Sequence, residues 1–465
     1  MWQMEFVNRK QELNTLKSEY EAERSSLVII YGRRRVGKTR LIHEFIKDKD
    51  AFMFMATEES EKENRMSFKS ALADHLDHPL LREVQDLSWE AMFKELVRNI
   101  GDKKKIVVID EFQYIGKNNK AFPSIFQKIW DTILASKNIM VILCGSVISM
   151  MKEQTLDYSS PLYGRRTAQI VVKQISFEHY KEFYSEEEQV DLIKKYALTG
   201  GVPKYIETLR DFKTFEEKLS EIIQNKNSYL YEEPYYLLSK EVPDIGTYFS
   251  VLKTIALGKV KPSEISAQLE LKVANLVHYF KVLRDMDMLV RETPVTEQNP
   301  EKSKKVIYRI TDNFVAFWFK YVYPHRLYIE TGQSEEIAEL ALEKIVEEHV
   351  SYVYEMIARE YVIRNWYKLT GHRYGKIGKW WDKHEEIDIA AIDEGENRIL
   401  LGECKYKEST VGLKEYKDLV RKSSLVKWGK AGRKEEYVLF SKSGFSEALD
   451  EHAKTDENLT LVKLQ

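Results

Sequence analysis

Two stretches of this 465-residue chain carry the residue types that handle phosphate. In the first, Gly32-Arg33-Arg34-Arg35-Val36-Gly37-Lys38-Thr39 satisfies G-x-x-x-x-G-K-[ST] in full. Gly32 and Gly37 let backbone N–H groups wrap an anion, Lys38 neutralises the β and γ oxygens of ATP, and the Thr39 hydroxyl, at a helix N-terminus, is a ligand for Mg²⁺. Arg40, next along, is grouped with this nucleotide-contacting set. With glycine at about 7% of residues, a random chain of this length shows the pattern on the order of once or twice in a hundred. Downstream, "KIVVIDEFQ" ends an apolar run in Asp110, expected to hold the metal through water, and Glu111, expected to polarise the attacking water. The second stretch, "EEIDIAAIDEGENRILLGECKYK" at 385–407, offers Asp388, Glu403 and Lys405 on two apolar runs joined by a polar turn. Residues two apart on a strand share a face, so Glu403 and Lys405 point one way and Cys404 the other, with Asp388 across the hairpin. Carboxylates that close repel unless a divalent cation sits between them, and oxygen-only ligation suits Mg²⁺ or Mn²⁺. Such a metal activates water and holds a phosphodiester oxygen, while Lys405 stabilises the charge that develops.

The elements that must position these groups are legible as periodicity. "LVIIY" runs into Gly32, and "TRLIHEFIK" behind it has helical spacing at Leu41, Ile42 and Phe45: strand, loop, helix. Further strand-like runs at "AFMFM", "KIVVID", "IMVILCG" and "AQIVV" alternate with helical stretches, which implies a mostly parallel α/β sheet with ligands at the carboxyl ends of its strands. From about 175 to 240 the pattern is helical, a separate lid broken by "TGGVPKY".

The middle segment reads as a winged helix-turn-helix. In "LKVANLVHYFKVLRDMDML" the residues Val273, Leu276, Val277, Phe280 and Leu283 mark one helix face, and Asn275, His278 and Tyr279 the other. Two strand-like runs around a charged loop follow, and Lys302, Lys304 and Lys305 in that wing are placed to meet DNA phosphates while a helix enters the major groove.

"FVNRKQEL", the two phosphate motifs, "CGSVISMM", "PLYGRRT" and "TGGVPKY" together resemble the archaeal-type ATPase family within the AAA+/STAND NTPases, over most of residues 1–330. That resemblance implies that Ser146 senses the γ-phosphate, that Arg165 or Arg166 serves as an arginine finger, that Pro203 packs near the adenine, and that Arg9 contacts the adenine side. Asn8 stands where relatives carry Gly. The order Asp388, about fifteen residues, then Glu403-x-Lys405 resembles the PD-(D/E)xK nuclease superfamily, over roughly 341–465. This second resemblance implies that Glu355 is the outer acid of the metal site, and Ile387 replaces the motif's proline.

The expected architecture is α/β: a P-loop parallel-sheet ATPase core (1–175), a helical lid (176–240), a winged helix-turn-helix (241–325) and a C-terminal α/β nuclease-like domain (326–465). A length beyond one core agrees with several domains. Apolar content of 43%, mixed charge at 31% and a net charge of −2 describe a globular chain whose contacts with nucleic acid are confined to local patches. "MWQMEFVNRKQ" lacks the apolar run of a signal peptide and no run approaches a membrane span, so a cytoplasmic location is expected. Cys144 and Cys404 fall in apolar runs as reduced core residues, and no Cys/His cluster presents a metal site. The function implied is an ATPase whose nucleotide state controls DNA binding and Mg²⁺-dependent DNA cleavage, with a homo-oligomer compatible with the reading. The alternative is a STAND-type signalling switch with a non-cleaving C-terminal domain.

Overall fold

The run Ser26–Tyr31 forms β1, buried at every position, and it is joined by β2 (Ala51–Met55), β3 (Lys105–Asp110), β4 (Ile139–Gly145) and β5 (Ala168–Val171) in the order β2-β3-β4-β1-β5. All four pairings are parallel. The computed structural model describes residues 6–101, 103–184 and 188–464. The chain divides into two units, one of Met1–Ile175 with Val202–Glu207 and Leu237–Pro243, the other of Ser176–Gly201, Thr208–Tyr236 and Asp244–Gln465.

In the first unit the period-2 alternation feeds two cores. Val28, Ile30, Val108 and Ile142 pack with Leu41 and Phe45 of the helix Lys38–Ile46 on one face. Leu27, Ile29, Val107 and Val141 pack with Phe68, Phe93, Phe122 and Phe126 on the other. Burial on both faces explains why β1, β3 and β4 are continuous apolar runs. Because β3, β4 and β1 are neighbours, their carboxyl ends bring the loop after Tyr31, the pair Asp110 and Glu111, and Ser146 to one edge of the sheet.

The second unit contains the helices Gln189–Thr199 and Phe215–Gln224, then Gly246–Ala256, Pro262–Leu269 and Val273–Asp285, and an antiparallel pair, β6 (Leu289–Glu292) and β7 (Ile307–Ile310). The helix Val273–Asp285 buries a narrower stripe than its periodicity suggests. Leu276, Phe280 and Leu283 are buried, whereas Val273 and Val277, counted on the same face, are exposed. A seam at i, i+4, i+7 is wide enough to seat the helix, and the flanking valines fall outside it. Tyr279 is not on an open face either, since its ring lies edge-on to Tyr248 with centroids 4.9 Å apart.

The C-terminal sheet has the order β12-β11-β10-β9-β8, formed by β8 (Lys376–Trp381), β9 (Glu386–Asp393), β10 (Arg398–Lys405), β11 (Lys434–Ser441) and β12 (Leu459–Lys463). The strands β8, β9 and β10 are antiparallel, and β10, β11 and β12 are parallel, with the helix Leu413–Ser423 connecting β10 to β11. Ile387, Ile399, Leu401 and Leu439 pack against Tyr416 and Leu419 of that helix. Both cysteines are free and buried. Among the described residues no helix is long and apolar enough to cross a membrane.

Candidate functional site

The loop after β1 is shaped by its glycines. A Cβ on Gly32 would lie 2.2 Å from the carbonyl oxygen of Val172, so no side chain fits there. Gly37, with φ of 93°, takes the left-handed conformation that starts the helix Lys38–Ile46. Lys38 is buried and donates from Nζ to the carbonyl oxygens of Gly32 (2.8 Å) and Arg33 (2.9 Å). Burial pushes its ammonium down, and the charges of Glu111 and Asp110 work against that push. The Thr39 hydroxyl donates to Asp110 Oδ2 at 2.9 Å, so a hydroxyl and a carboxylate oxygen converge at a helix N-terminus, a donor set that fits Mg²⁺.

Beyond β3, Glu111 has φ of 53°, a conformation uncommon for a non-glycine residue, which turns the chain sharply after Asp110. Its carboxylate accepts hydrogen bonds from the Ser146 hydroxyl (2.8 and 3.0 Å), the Ser146 N–H (3.2 Å) and Gln113 Nε2 (2.5 Å). Lys38, Thr39, Asp110, Glu111 and Ser146 are thus brought together. Gln113 and Glu241 were passed over in the sequence. Glu241 accepts from Ile148 N–H and from the Ser149 hydroxyl, both at 3.0 Å, and burial raises its pKa. Nothing in the spacing of a residue so far along the chain announces such a contact.

The other expected nucleotide contacts take diverse positions. Arg9 is buried and donates to the carbonyl oxygens of Val36 (2.9 Å) and Lys173 (2.6 Å), binding the chain start to the loop. Pro203 Cγ lies 3.9 Å from where a Gly37 Cβ would stand, which sets this ring over the loop. Arg40 is on the outer, exposed side of its helix. Arg165 is taken by Asp131, with Nε and Nη2 both on the carboxylate, and by the Pro161 carbonyl. Arg166 rests over the Tyr163 ring at 5.4 Å.

In the C-terminal sheet the ladder between β9 and β10 ends at the pair Gly402 and Ile389. One residue beyond, Asp388 Oδ2 takes the Cys404 N–H at 2.9 Å in place of a backbone carbonyl. Glu403 accepts from Lys405 Nζ at 2.7 Å on one oxygen and from Lys422 Nζ at 2.8 Å on the other. Glu355, on the helix Ser351–Thr370, accepts from Lys379 of β8. Burial, and next the charge of Glu355, push Asp388 up to about 6, against the pull of Lys379, the Cys404 N–H and Lys405. Lys405 is held above its ordinary value: burial opposes its charge, and the neighbouring Glu403 carboxylate more than offsets it.

Asp388, Glu403, Lys405 and Glu355 therefore share one region of the unit. Among the described residues no group of three or more His, Cys, Asp or Glu side chains converges to hold a metal ion. Each carboxylate has a partner within the chain: Glu403 accepts from two lysines, Glu355 from one, and Asp388 from a backbone N–H. Lys379 and Lys422 are the residues the sequence reading missed. Their signal was weak, since a lysine on an edge strand or an amphipathic helix is ordinarily a solvated charge.

A family model described as "ATPase domain predominantly from Archaea" matches residues 6–209, and one described as "Archaea bacterial proteins of unknown function" matches residues 318–418. An uncharacterised protein of Methanocaldococcus jannaschii is 34% identical over 424 residues, covering 90% of this chain and 92% of that protein. An uncharacterised ATP-binding protein of the same organism is 52% identical over 44 residues, 10% of this chain and 75% of that protein. Among solved structures, the Walker-type ATPase of Pyrococcus abyssi is similar in fold, with a TM-score of 0.52 at 21% identity, covering 68% of this chain and 96% of that one.

Proposed function

This chain belongs to the family that carries the ATPase domain found predominantly in Archaea, and from that premise we propose that it couples ATP hydrolysis to the binding and cleavage of DNA. The observation that carries the ATPase part is the convergence of Lys38, Thr39, Asp110, Glu111 and Ser146 at the carboxyl edge of a parallel sheet. Lys38 and the N–H groups at the start of the helix Lys38–Ile46 would bind the β and γ phosphates, and Thr39, with Asp110 through water, would hold Mg²⁺, which would supply charge neutralisation. Glu111 accepts a proton from the attacking water once it leaves Ser146 and Gln113, and Ser146 reports whether a γ-phosphate is present.

Residues 1–175 form the ATPase core and 176–240 a helical lid in this reading. Residues 241–325 act as a winged helix-turn-helix, a reading supported by three helices followed by an antiparallel pair whose loop exposes Lys302 and Lys304. Residues 326–465 act as a PD-(D/E)xK nuclease-like domain, supported by a hairpin that carries Asp388 opposite Glu403 and Lys405 and by the connecting helix behind it. Lys405 and Lys422 each occupy one oxygen of Glu403, so any further partner of that carboxylate shares its lone pairs with two ammonium groups.

That same pairing favours a second reading, a STAND-type regulatory switch in which the C-terminal domain binds phosphate through its lysines without cutting. Both readings are tested by incubating the full chain with linear, nicked and branched DNA, with and without ATP and Mg²⁺ or Mn²⁺, beside Glu403→Gln. Cleavage that disappears in Glu403→Gln while ATPase activity persists supports the nuclease. DNA-stimulated ATPase activity without cleavage of any substrate supports the switch, and absence of ATP hydrolysis in the parent overturns both.

A further inference from the structure

Two neighbouring arginines of the phosphate loop go to different tyrosines. Arg33 Nη2 donates to the Tyr205 hydroxyl at 3.2 Å, while Arg34 Nη2 donates to the Tyr114 hydroxyl at 2.7 Å. Tyr114 is itself tied to the far side of the site, because its N–H donates to the carbonyl of Glu111 at 3.0 Å. Arg34 thus spans from the loop that cradles phosphate to the turn that carries the water-polarising acid. We propose that Arg34 is a substrate-contacting residue, an arginine supplied by the chain's own loop that binds the γ-phosphate of ATP and distinguishes ATP from ADP. The inference rests on the assignment of the loop as the nucleotide site.

Four observations support it. The Tyr114 hydroxyl is a neutral acceptor that occupies one of five guanidinium N–H groups, so the cation is oriented while most of its donors stay available to phosphate oxygens. Among the described residues no carboxylate lies within ion-pair distance of Arg34; Glu241, whose charge it favours, is held by the Ile148 N–H and the Ser149 hydroxyl. Its positive charge bears on Lys38, after burial and against the opposing charges of Glu111 and Asp110, so the guanidinium and the ammonium belong to one electrostatic neighbourhood. Finally, the two arginines that the sequence offers as fingers are placed otherwise, Arg165 on Asp131 and Arg166 on Tyr163. The diphosphate product lacks the group that lies toward Glu111. An arginine aimed there therefore contributes to ATP binding and to the charge that builds on the γ-phosphoryl group in the transition state, and little to ADP binding.

The test is equilibrium binding of ADP and of a non-hydrolysable β,γ-imido ATP analogue to the full chain, by calorimetry with Mg²⁺ present. Arg34→Gln keeps a donor for Tyr114 and removes the charge. It is expected to weaken the ATP analogue by roughly 10- to 100-fold, the range of one charge-assisted hydrogen bond, with ADP affinity within about threefold of the parent. Arg34→Lys, which keeps the charge, recovers part of the loss. Equal weakening of both nucleotides, or an unchanged preference for the ATP analogue in Arg34→Gln, overturns the proposal. Lys38→Ala separates it from its premise: if that variant still binds ADP like the parent, the loop is not the nucleotide site and the assignment beneath the proposal fails.

Discussion

Replacing Asp388 with Asn gives a stability change whose dependence on pH can be worked out from the site. The carboxyl is 6% exposed and its pKa stands near 6, against an ordinary 3.8, because burial and the charge of Glu355 disfavour ionisation. Well below pH 3.8 both the folded and the unfolded chain hold this proton, and the residue carries almost no penalty. As pH rises toward 6, the unfolded chain releases its proton first, so stability falls; above the folded pKa the penalty is complete. A separation of roughly two pH units, at 1.36 kcal/mol each, sets a ceiling of about 3 kcal/mol. Asn has no proton to lose, and its Oδ1 can still accept from the Cys404 N–H, so the ladder end is preserved. Asp388→Asn is therefore expected to match the parent near pH 3.5 and to exceed it by about 2–3 kcal/mol at pH 7.5. Differential scanning calorimetry of the full chain across that range measures the difference, read on the transition that the substitution moves. A gain that does not grow between pH 4 and pH 7, or a variant less stable than the parent at pH 7.5, would refute the description of Asp388 as a buried, strained acid.

Other outcomes follow from the same geometry. Lys38→Ala should abolish nucleotide binding, measured by fluorescent ATP titration, because its buried ammonium is held against the loop's own carbonyls where the phosphates would lie. Glu111→Gln should bind ATP within about threefold of the parent but hydrolyse it roughly 10²–10⁴ times more slowly in a phosphate-release assay, as expected for the loss of a general base. Replacing Lys302, Lys304 and Lys305 together with Ala should lower the salt slope of DNA affinity by about 2 and not 3, since Glu297 already pairs with Lys305 at 3.0 Å. Glu292→Gln should cost about 3–5 kcal/mol in urea unfolding of the second unit, because it leaves Arg309 and Arg359 without the carboxylate they share.

The first unit was legible almost strand by strand. Central parallel strands are short, apolar at every position and bounded by polar loops, so the runs at "LVIIY", "KIVVID" and "IMVILCG" coincide with β1, β3 and β4 to within a residue. The site residues Lys38, Thr39, Asp110 and Glu111 were legible for a related reason: a phosphate loop is contiguous, and its partner acids end a neighbouring strand. What was not legible is contact made at long range by single polar side chains. Glu241 reaches the helix after Ser146, and Lys379 and Lys422 reach Glu355 and Glu403, without any local pattern to mark them. The helix Val273–Asp285 was misread differently, because valine counts as apolar wherever it stands while burial depends on what lies opposite. In β8, "KIGKWW" escaped notice because an edge strand with lysines and a glycine lacks clean alternation.

The middle module and the C-terminal sheet do not behave as beads on a linker. Val295, three residues past the end of β6, is part of the same core as Trp380, Ile387 and Leu439, and its N–H donates to the Lys379 carbonyl at 2.9 Å. Glu292 at the end of β6 is held by Arg309 of β7 at 2.9 Å and by Arg359 of the helix Ser351–Thr370 at 3.0 Å. That helix also carries Tyr352, whose ring lies 4.7 Å from the Arg309 guanidinium, and Glu355, which holds Lys379 beside Asp388. The β6–β7 pair is thus tied both to the Lys379 backbone and to the helix that presents Glu355. Packed interiors transmit shifts because side chains fill their sites with little free volume. In the proposed reading, the pair offered to DNA is in this way packed against the elements that carry the carboxylates of the candidate C-terminal site.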